Sequence, residues 1–264
     1  VAQAIEEHYM PLRAGGEVPH SLLGAFVGIA DRLDTLVGYF AIGEKPTGNK
    51  DVFGLRRQAI GLISIVRERD LTVPLHEFVT AALSGYGDTI PQDGKVADEV
   101  IAFIRHRFEN DLIASGYAQE VVEAATAARF DEPIDCLKRV EALREIHGQD
   151  SFGVLAGSFK RINNIIKDSK ETGIDEALLT EPAEQALYAA FVSTRDKALP
   201  LLDQRMYHEA LLAMLAIKEP VDRFFDTVMV MVEADDVRTN RLNLLSALRG
   251  LVLRVGDISR MHVE

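Results

Sequence analysis

A single cysteine, Cys136, is all that the 264 residues contain. No disulfide framework can form within the chain, and cysteine-based zinc sites are excluded. A reducing cytoplasm is the simplest compartment, and Cys136 reads as a small, semi-buried filler on a helix. Long hydrophobic runs are missing too. The best candidates, around Leu71–Val79 and Phe224–Val232, fall short of the roughly 18–20 apolar residues a membrane span needs, so no membrane partner is expected. The first residues, VAQAIEEHYMPLR, lack the basic start and apolar core of a signal peptide. They begin inside an amphipathic pattern, as expected of a chain cut from something longer. There is no internal repeat and no low-complexity tract. The seven histidines are scattered, and no Ser/His/Asp set or nucleophile elbow can be drawn, so neither a catalytic residue nor a metal ligand is expected.

Positive charge is scarce. Lys and Arg number 29 against 41 Asp and Glu, a net charge of −12. Phosphate neutralisation supplies much of the affinity of nucleic-acid binders, so this balance counts against such a partner unless cations gather locally. They do gather. Residues 238–264 carry five arginines against Asp257 and Glu264, whereas 218–236 hold Lys218 and Arg223 against six acids.

What is present is helical periodicity, with no strand ladder, on a globular balance of 47% hydrophobic and 27% charged residues. The fold class is all-α. The pattern predicts helices over His20–Ala41, Asp51–Arg69, Pro74–Ser84, Asp93–Ala114, Gln119–Ala128, Pro133–Ile146, Ser151–Lys170, Pro182–Leu199, Gln204–Leu215, Pro220–Val232 and Asp235–Met261. Asp51, Asp93 and Ser151 suit N-caps, and Pro133, Pro182 and Pro220 suit first turns. The run Val228–Val232 alternates like a strand but continues a helical pattern from Val221, and is read as helix. A domain boundary is expected between Ala114 and Asp150, where Gly116, Pro133 and Gly148 punctuate shorter helices.

Gly43–Lys50, GEKPTGNK, spaces two glycines as a phosphate loop does, but Asn49 and Lys50 stand where lysine and a hydroxyl residue belong. It reads as a turn. Asp31 and Asp34 share a helix face, but nearby histidines lack metal-ligand spacing, and the pair reads as a solvated edge together with Arg32. The final helix carries an apolar stripe from Leu244 to Ile258, flanked by Arg238, Arg249 and Arg260 at intervals of eleven residues, close to three turns. This row has two readings, phosphate contact or an ordinary salt-bridged flank. Arg241 falls within the apolar sector and is expected to pair with Asp222 or Asp226. A second basic face lies on the helix opening near Ser151. There Lys160, Asn164 and Lys167 point away from the core with Arg161 to one side, as phosphate and base-edge contacts would require, or as a plain solvent face.

Longer wording is more specific. In the first half EEHYMP at Glu6–Pro11, IADRLDTLVGYFAIG at Ile29–Gly43, PTGNKD at Pro46–Asp51 and FGLRRQAIGLI at Phe53–Ile63 resemble the beta subunit of the bacterial two-subunit glycyl-tRNA synthetase. Family members usually have proline where Val52 stands. In the second half FKRINNI (Phe159–Ile165), EPAEQAL (Glu181–Leu187), PVDRFFDTVMVM (Pro220–Met231) and RTNRLNLLSALRGLVLRVGDIS (Arg238–Ser259) fit the same family.

The resemblance implies an HD-like helical domain over 1–114, truncated at its N-terminus, a helical linker over 115–149, and an anticodon-binding-type helical bundle over 150–264. Asp31 would match the last metal-binding aspartate of an active HD enzyme, whose remaining ligands would lie before Val1. The implied function is the tRNA-binding portion of a glycine–tRNA ligase. Its partners would be glycine tRNA and the alpha subunit, in a heterotetramer of two alpha and two beta chains. The adenylate-forming site, with ATP and magnesium, would belong to the alpha subunit, leaving no cofactor and no aminoacylation site here. Lys160, Arg161, Asn164, Lys167, Arg238, Arg249 and Arg260 are the candidate RNA contacts. The competing readings are a remnant HD-type metal-dependent phosphohydrolase and a helical scaffold for subunit assembly.

Overall fold

The computed structural model describes residues 1–90, 94–166 and 173–261. Every regular element among them is helical, and none is a strand. The helices are α1 (Ala2–Glu7), α2 (Leu22–Ala41), α3 (Leu55–Glu68), α4 (Leu75–Gly85), α5 (Gly94–Ala114), α6 (Gln119–Ala128), α7 (Pro133–His147), α8 (Asp150–Ile165), α9 (Pro182–Asp203), α10 (Tyr207–Met214), α11 (Lys218–Thr227) and α12 (Asp235–Leu253). Short 3₁₀ turns punctuate them, the last at Ile258–Arg260. The all-α expectation holds. No helix among the described residues is long and apolar enough to cross a membrane. Two compact units form. The first comprises Val1–Tyr117 with Phe130–Leu137, the second Ala118–Arg129 with Lys138–Glu264.

In the first unit, α2 packs against α1, α3, α4 and α5. Its residues Ile29, Leu33, Leu36 and Val37 recur at helical spacing and are buried, as are Leu62 and Ile65 on α3, Val79 on α4 and Ile104 on α5. Ser21 caps α2 by accepting the Gly24 N–H at 3.0 Å. The buried Glu7 carboxylate in turn accepts both the N–H and the hydroxyl of Ser21, which ties α1 to the start of α2. Asp51 starts α3: its two oxygens accept the N–H groups of Leu55 (2.8 Å) and Arg56 (3.0 Å). The preceding Gly43–Lys50 segment is a turn, as read, closed by reciprocal Thr47–Lys50 backbone bonds. Gly48 there has a φ of +48°, a left-handed angle that glycine adopts without strain.

Arg32 departs from the expected solvated edge. It is 4% exposed, and its guanidinium donates to the carbonyls of His8, Gly28, Tyr9 and Met10 at 2.8–3.1 Å. Asp31 and Asp34 on either side are exposed. The reason is angular: Arg32 falls on the helix face that carries Leu36 and Ile29, and a long side chain can reach polar backbone from there. Gly61 makes room, because a Cβ there would lie 2.6 Å from Arg32 Nε.

In the second unit, α9 packs against α10, α11 and α12, and α8 against α11, α12 and the last 3₁₀ turn. Glu184 accepts the Glu181 N–H at 2.8 Å, which caps α9. Pro200 does not end α9, which runs on to Asp203. Buried Ala198 and Leu202 hold this turn in the core despite the missing N–H. Three further expectations are corrected. Val228–Val232 is not helix. Val228 and Val230 are buried while Met229 and Met231 are exposed, and the freed carbonyls of Met229 and Val232 accept from Arg241 (2.7 Å) and Arg238 (3.0 Å). Arg241 pairs not with Asp222 or Asp226 but with Glu184, which is fully buried. Asp222 accepts from Ser158 instead, at 2.8 Å. Finally, α12 stops at Leu253 rather than Met261. Past it, Asp257 N–H donates to Ala124 O at 2.8 Å, and a Cβ at Gly256 would meet Leu143 Cδ1 at 2.7 Å. Gly256, past the end of the helix, has no Cβ and so allows this close approach. The predicted cap Asp93 lies outside the described residues.

Candidate nucleic-acid interface

The early end of α12 breaks the expected arginine row. Arg238 and Arg249 share the helix, but Arg260 sits on the 3₁₀ turn beyond it, in a different local frame. Arg238 is half-buried and already engaged by Val232 O and the Asp235 carboxylate. Arg249 is half-buried, with a buried Nε that has no hydrogen-bond partner. A row of three outward guanidinium groups therefore does not exist.

A different grouping does. α8 presents Lys160, Arg161 and Asn164 to solvent at one edge of its last turns. Lys167 lies outside the described residues. On the neighbouring position Asn163 donates to Ser259 Oγ (2.6 Å) and Asp257 Oδ1 (3.3 Å), which fastens the 3₁₀ turn to α8. Arg260 is exposed and held from that turn by Asp257 Oδ2 at 3.1 Å. The fold thus carries Arg260 to α8, far in sequence but adjacent in space. Burial by itself would raise the pKa of Asp257, but the Ser259 hydroxyl, the Arg260 guanidinium and the Asn163 amide outweigh it and hold the carboxyl below its usual value. The Asp257 anion is therefore a fixed part of this joint. Arg161 stacks over the Phe225 ring at 4.2 Å, in a groove of ≈ 440 Å³ that also contains Asp222 and Asp226.

Sequence reading missed a second surface. Tyr188, Phe191, Arg195 and Leu199 on α9 face Ala247, Gly250 and Leu251 on α12 and Arg254 just past its end across a groove of ≈ 470 Å³. The small residues Ala247 and Gly250 leave the space, and the 188–191–195 spacing on a helix was the available signal. Tyr188 donates to Glu176 at 2.8 Å, Arg195 contacts Asp196 at 2.9 Å and Arg254 contacts Asp203 at 3.3 Å. A guanidinium beside an aromatic edge in a base-sized slot is what single-stranded RNA recognition uses. Among the described residues no group of three or more His, Cys, Asp and Glu is placed to hold a metal.

A family model for the glycyl-tRNA synthetase beta subunit matches residues 1–127, and one for the DALR anticodon binding domain matches 156–256. Glycine–tRNA ligase beta subunits from Syntrophus aciditrophicus and Trichlorobacter lovleyi are 38% and 42% identical to the chain, over 100% and 99% of it. The chain belongs to the glycyl-tRNA synthetase beta subunit family. A third relative of this name, from Acinetobacter baumannii strain ACICU, is 40% identical over 98% of the chain. The chain spans 38% of the length of these relatives. The anticodon-binding match takes in α8 from Ala156 onward, both grooves of the second unit and all of α12, and ends at Gly256, just short of Arg260.

Proposed function

We propose that the chain is the tRNA-binding portion of a glycyl-tRNA synthetase beta subunit. In the whole enzyme it supports the ATP-dependent joining of glycine to its tRNA, in the cytoplasm, with ATP and magnesium bound at an alpha subunit. Two alpha and two beta chains make up that enzyme in this reading. One observation carries it: the anticodon-binding match over 156–256 falls on the unit whose α8 edge exposes Lys160, Arg161 and Asn164. Arg260 extends that edge, and the Tyr188–Arg195–Arg254 groove offers an aromatic and guanidinium lining for an unstacked base.

The second unit is also the less acidic one. It carries 18 Lys and Arg against 22 Asp and Glu, net −4, while the first unit carries 11 against 19, net −8. Phosphate contact at the α8 edge makes binding salt-dependent, each lost contact lowering the log–log slope by about 0.7–0.9. The test is binding of glycine tRNA, measured against salt, to the Lys160→Glu/Arg161→Glu variant and to the control Lys138→Glu/Lys197→Glu, whose cations are exposed elsewhere on the same unit. The expected outcome is a loss of at least about tenfold and a shallower slope in the first variant only. Equal losses in both would remove the α8 edge from the proposal.

A further inference from the structure

The first unit is the more acidic, yet it gathers arginines around one groove. Arg13 from the loop after α1, and Arg56 and Arg57 from the first turn of α3, line a cleft of ≈ 380 Å³ together with Pro11, Leu12 and Gly54. Asp51 is the acid in the lining, and both of its oxygens already accept backbone N–H groups of α3. Arg56 donates to Gly48 O at 2.5 Å, which fixes it at the mouth. Gly54 has a φ of +67° and no Cβ, and the Arg57 Nη2 lies where that Cβ would press, at 2.9 Å. The glycine lets the guanidinium fold over the helix start. Arg13 and Arg57 are exposed, and neither guanidinium has a hydrogen-bond or ion-pair partner among the described residues. Arg107, with a buried Nε that has no hydrogen-bond partner, is close enough to feel the charge of Arg56.

We infer that this cleft is a phosphate-binding site, built by Arg13, Arg56 and Arg57 over the N-terminal turn of α3. Three guanidinium groups against one carboxylate in the lining leave local positive charge that a bound anion would offset. Guanidinium forks match phosphate oxygens two at a time, and the helix start adds a favourable dipole. The volume lies at the small end of ligand clefts, enough for a phosphate with an attached sugar. The phosphate arrives either on an RNA backbone or on a free nucleotide, two sources with one recognising chemistry.

The test uses the whole chain and three probes, namely inorganic phosphate, AMP and glycine tRNA, measured by calorimetry at fixed ionic strength. The variant is Arg13→Ala/Arg57→Ala, in which both changes are at exposed side chains, with Arg57→Lys as a milder companion. Phosphate binds the unaltered chain saturably and at least about tenfold more weakly to the double variant, with Arg57→Lys in between because it keeps the charge but loses the fork. If tRNA weakens in parallel and AMP does not bind, the phosphate is carried on RNA. If AMP binds and tRNA is unaffected, it is carried on a nucleotide. No saturable binding of any probe, or equal affinities in parent and double variant with unchanged far-UV circular dichroism, overturns the site. The Lys160→Glu/Arg161→Glu variant should bind phosphate normally, so failure of the α8 edge and failure of this cleft are separable.

Discussion

Two buried arginines, Arg32 on α2 of the first unit and Arg241 on α12 of the second, are neutralised differently, and Arg139 on α7 of the second unit follows Arg32 in meeting backbone carbonyls. Arg32 in the first unit spends its guanidinium on four backbone carbonyls, three of them in the segment His8–Met10. Arg241 in the second meets the fully buried Glu184 and the carbonyl of Met229. Carbonyl dipoles pin a loop, and removing the cation leaves only polar groups behind. A carboxylate pairs charge with charge, and removing the cation strands an anion. The same contrast runs outward. Around the cleft of the first unit Arg13 and Arg57 have no ion-pair partner among the described residues, whereas on the second unit Arg195, Arg238, Arg254 and Arg260 each have an acid of their own unit at hand. In the proposed tRNA complex, a phosphate contact at any of these arginines would exchange an internal carboxylate for a phosphate. Such exposed pairs are weak, so the exchange costs little.

The largest effect is expected at the charge-paired arginine. Arg241→Met should destabilise the second unit by about 3–5 kcal/mol, because the Glu184 carboxyl is left buried without its partner. Urea unfolding followed by far-UV circular dichroism measures this, and adding Glu184→Gln should recover most of it while keeping the acceptor for the Glu181 N–H. Failure of the double change to recover would mean that the carboxyl is not the source of the loss. Arg32→Met should cost less, about 2 kcal/mol, since it leaves carbonyls rather than a charge without partners. A loss as large as that of Arg241→Met would erase the distinction between the two buried arginines. Gly61→Ala should cost about 1–3 kcal/mol by pressing on Arg32 Nε, and the cost should shrink in the Arg32→Met background. Additive losses would show that the pressure falls elsewhere.

The smallest effect concerns pH. The folded-state pKa of Asp257 is lowered, so its contribution is fully present above the ordinary aspartate value of 3.8 and is lost as pH falls below that value through the folded one. Acid should therefore loosen the Asn163–Ser259–Asp257 joint only below pH 3.8. Asp257→Asn should flatten the stability profile below pH 3.8, as read by amide exchange on residues 255–261. An unchanged acid profile would exclude Asp257 as the titrating group.

Much of the helical layout was legible because helices announce themselves over one or two turns. Gln119–Ala128 agrees at both ends, and α2, α4 and α7 agree to within two residues. The errors fell where a local pattern competes with a distant partner. Val228–Val232 has helical flanks, but its carbonyls are claimed by Arg238 and Arg241, and nothing within the segment signals that claim. Arg260 continued the spacing of Arg238 and Arg249, but the close approach of Gly256 to Leu143 and Ala124 ended the helix first. The Tyr188–Arg195–Arg254 groove was missed because its two walls lie on α9 and α12, and neither wall is distinctive alone.

Composition and periodicity by themselves determined an all-α chain with segregated charge, and the long ordered motifs determined its family, since both are written in neighbouring residues. Which arginine is buried, which acid it meets and which cations share an edge were settled only by tertiary structure. A side chain's electrostatic partner is chosen by distance in space, and helix packing brings together residues such as Glu184 and Arg241 that no local spacing relates.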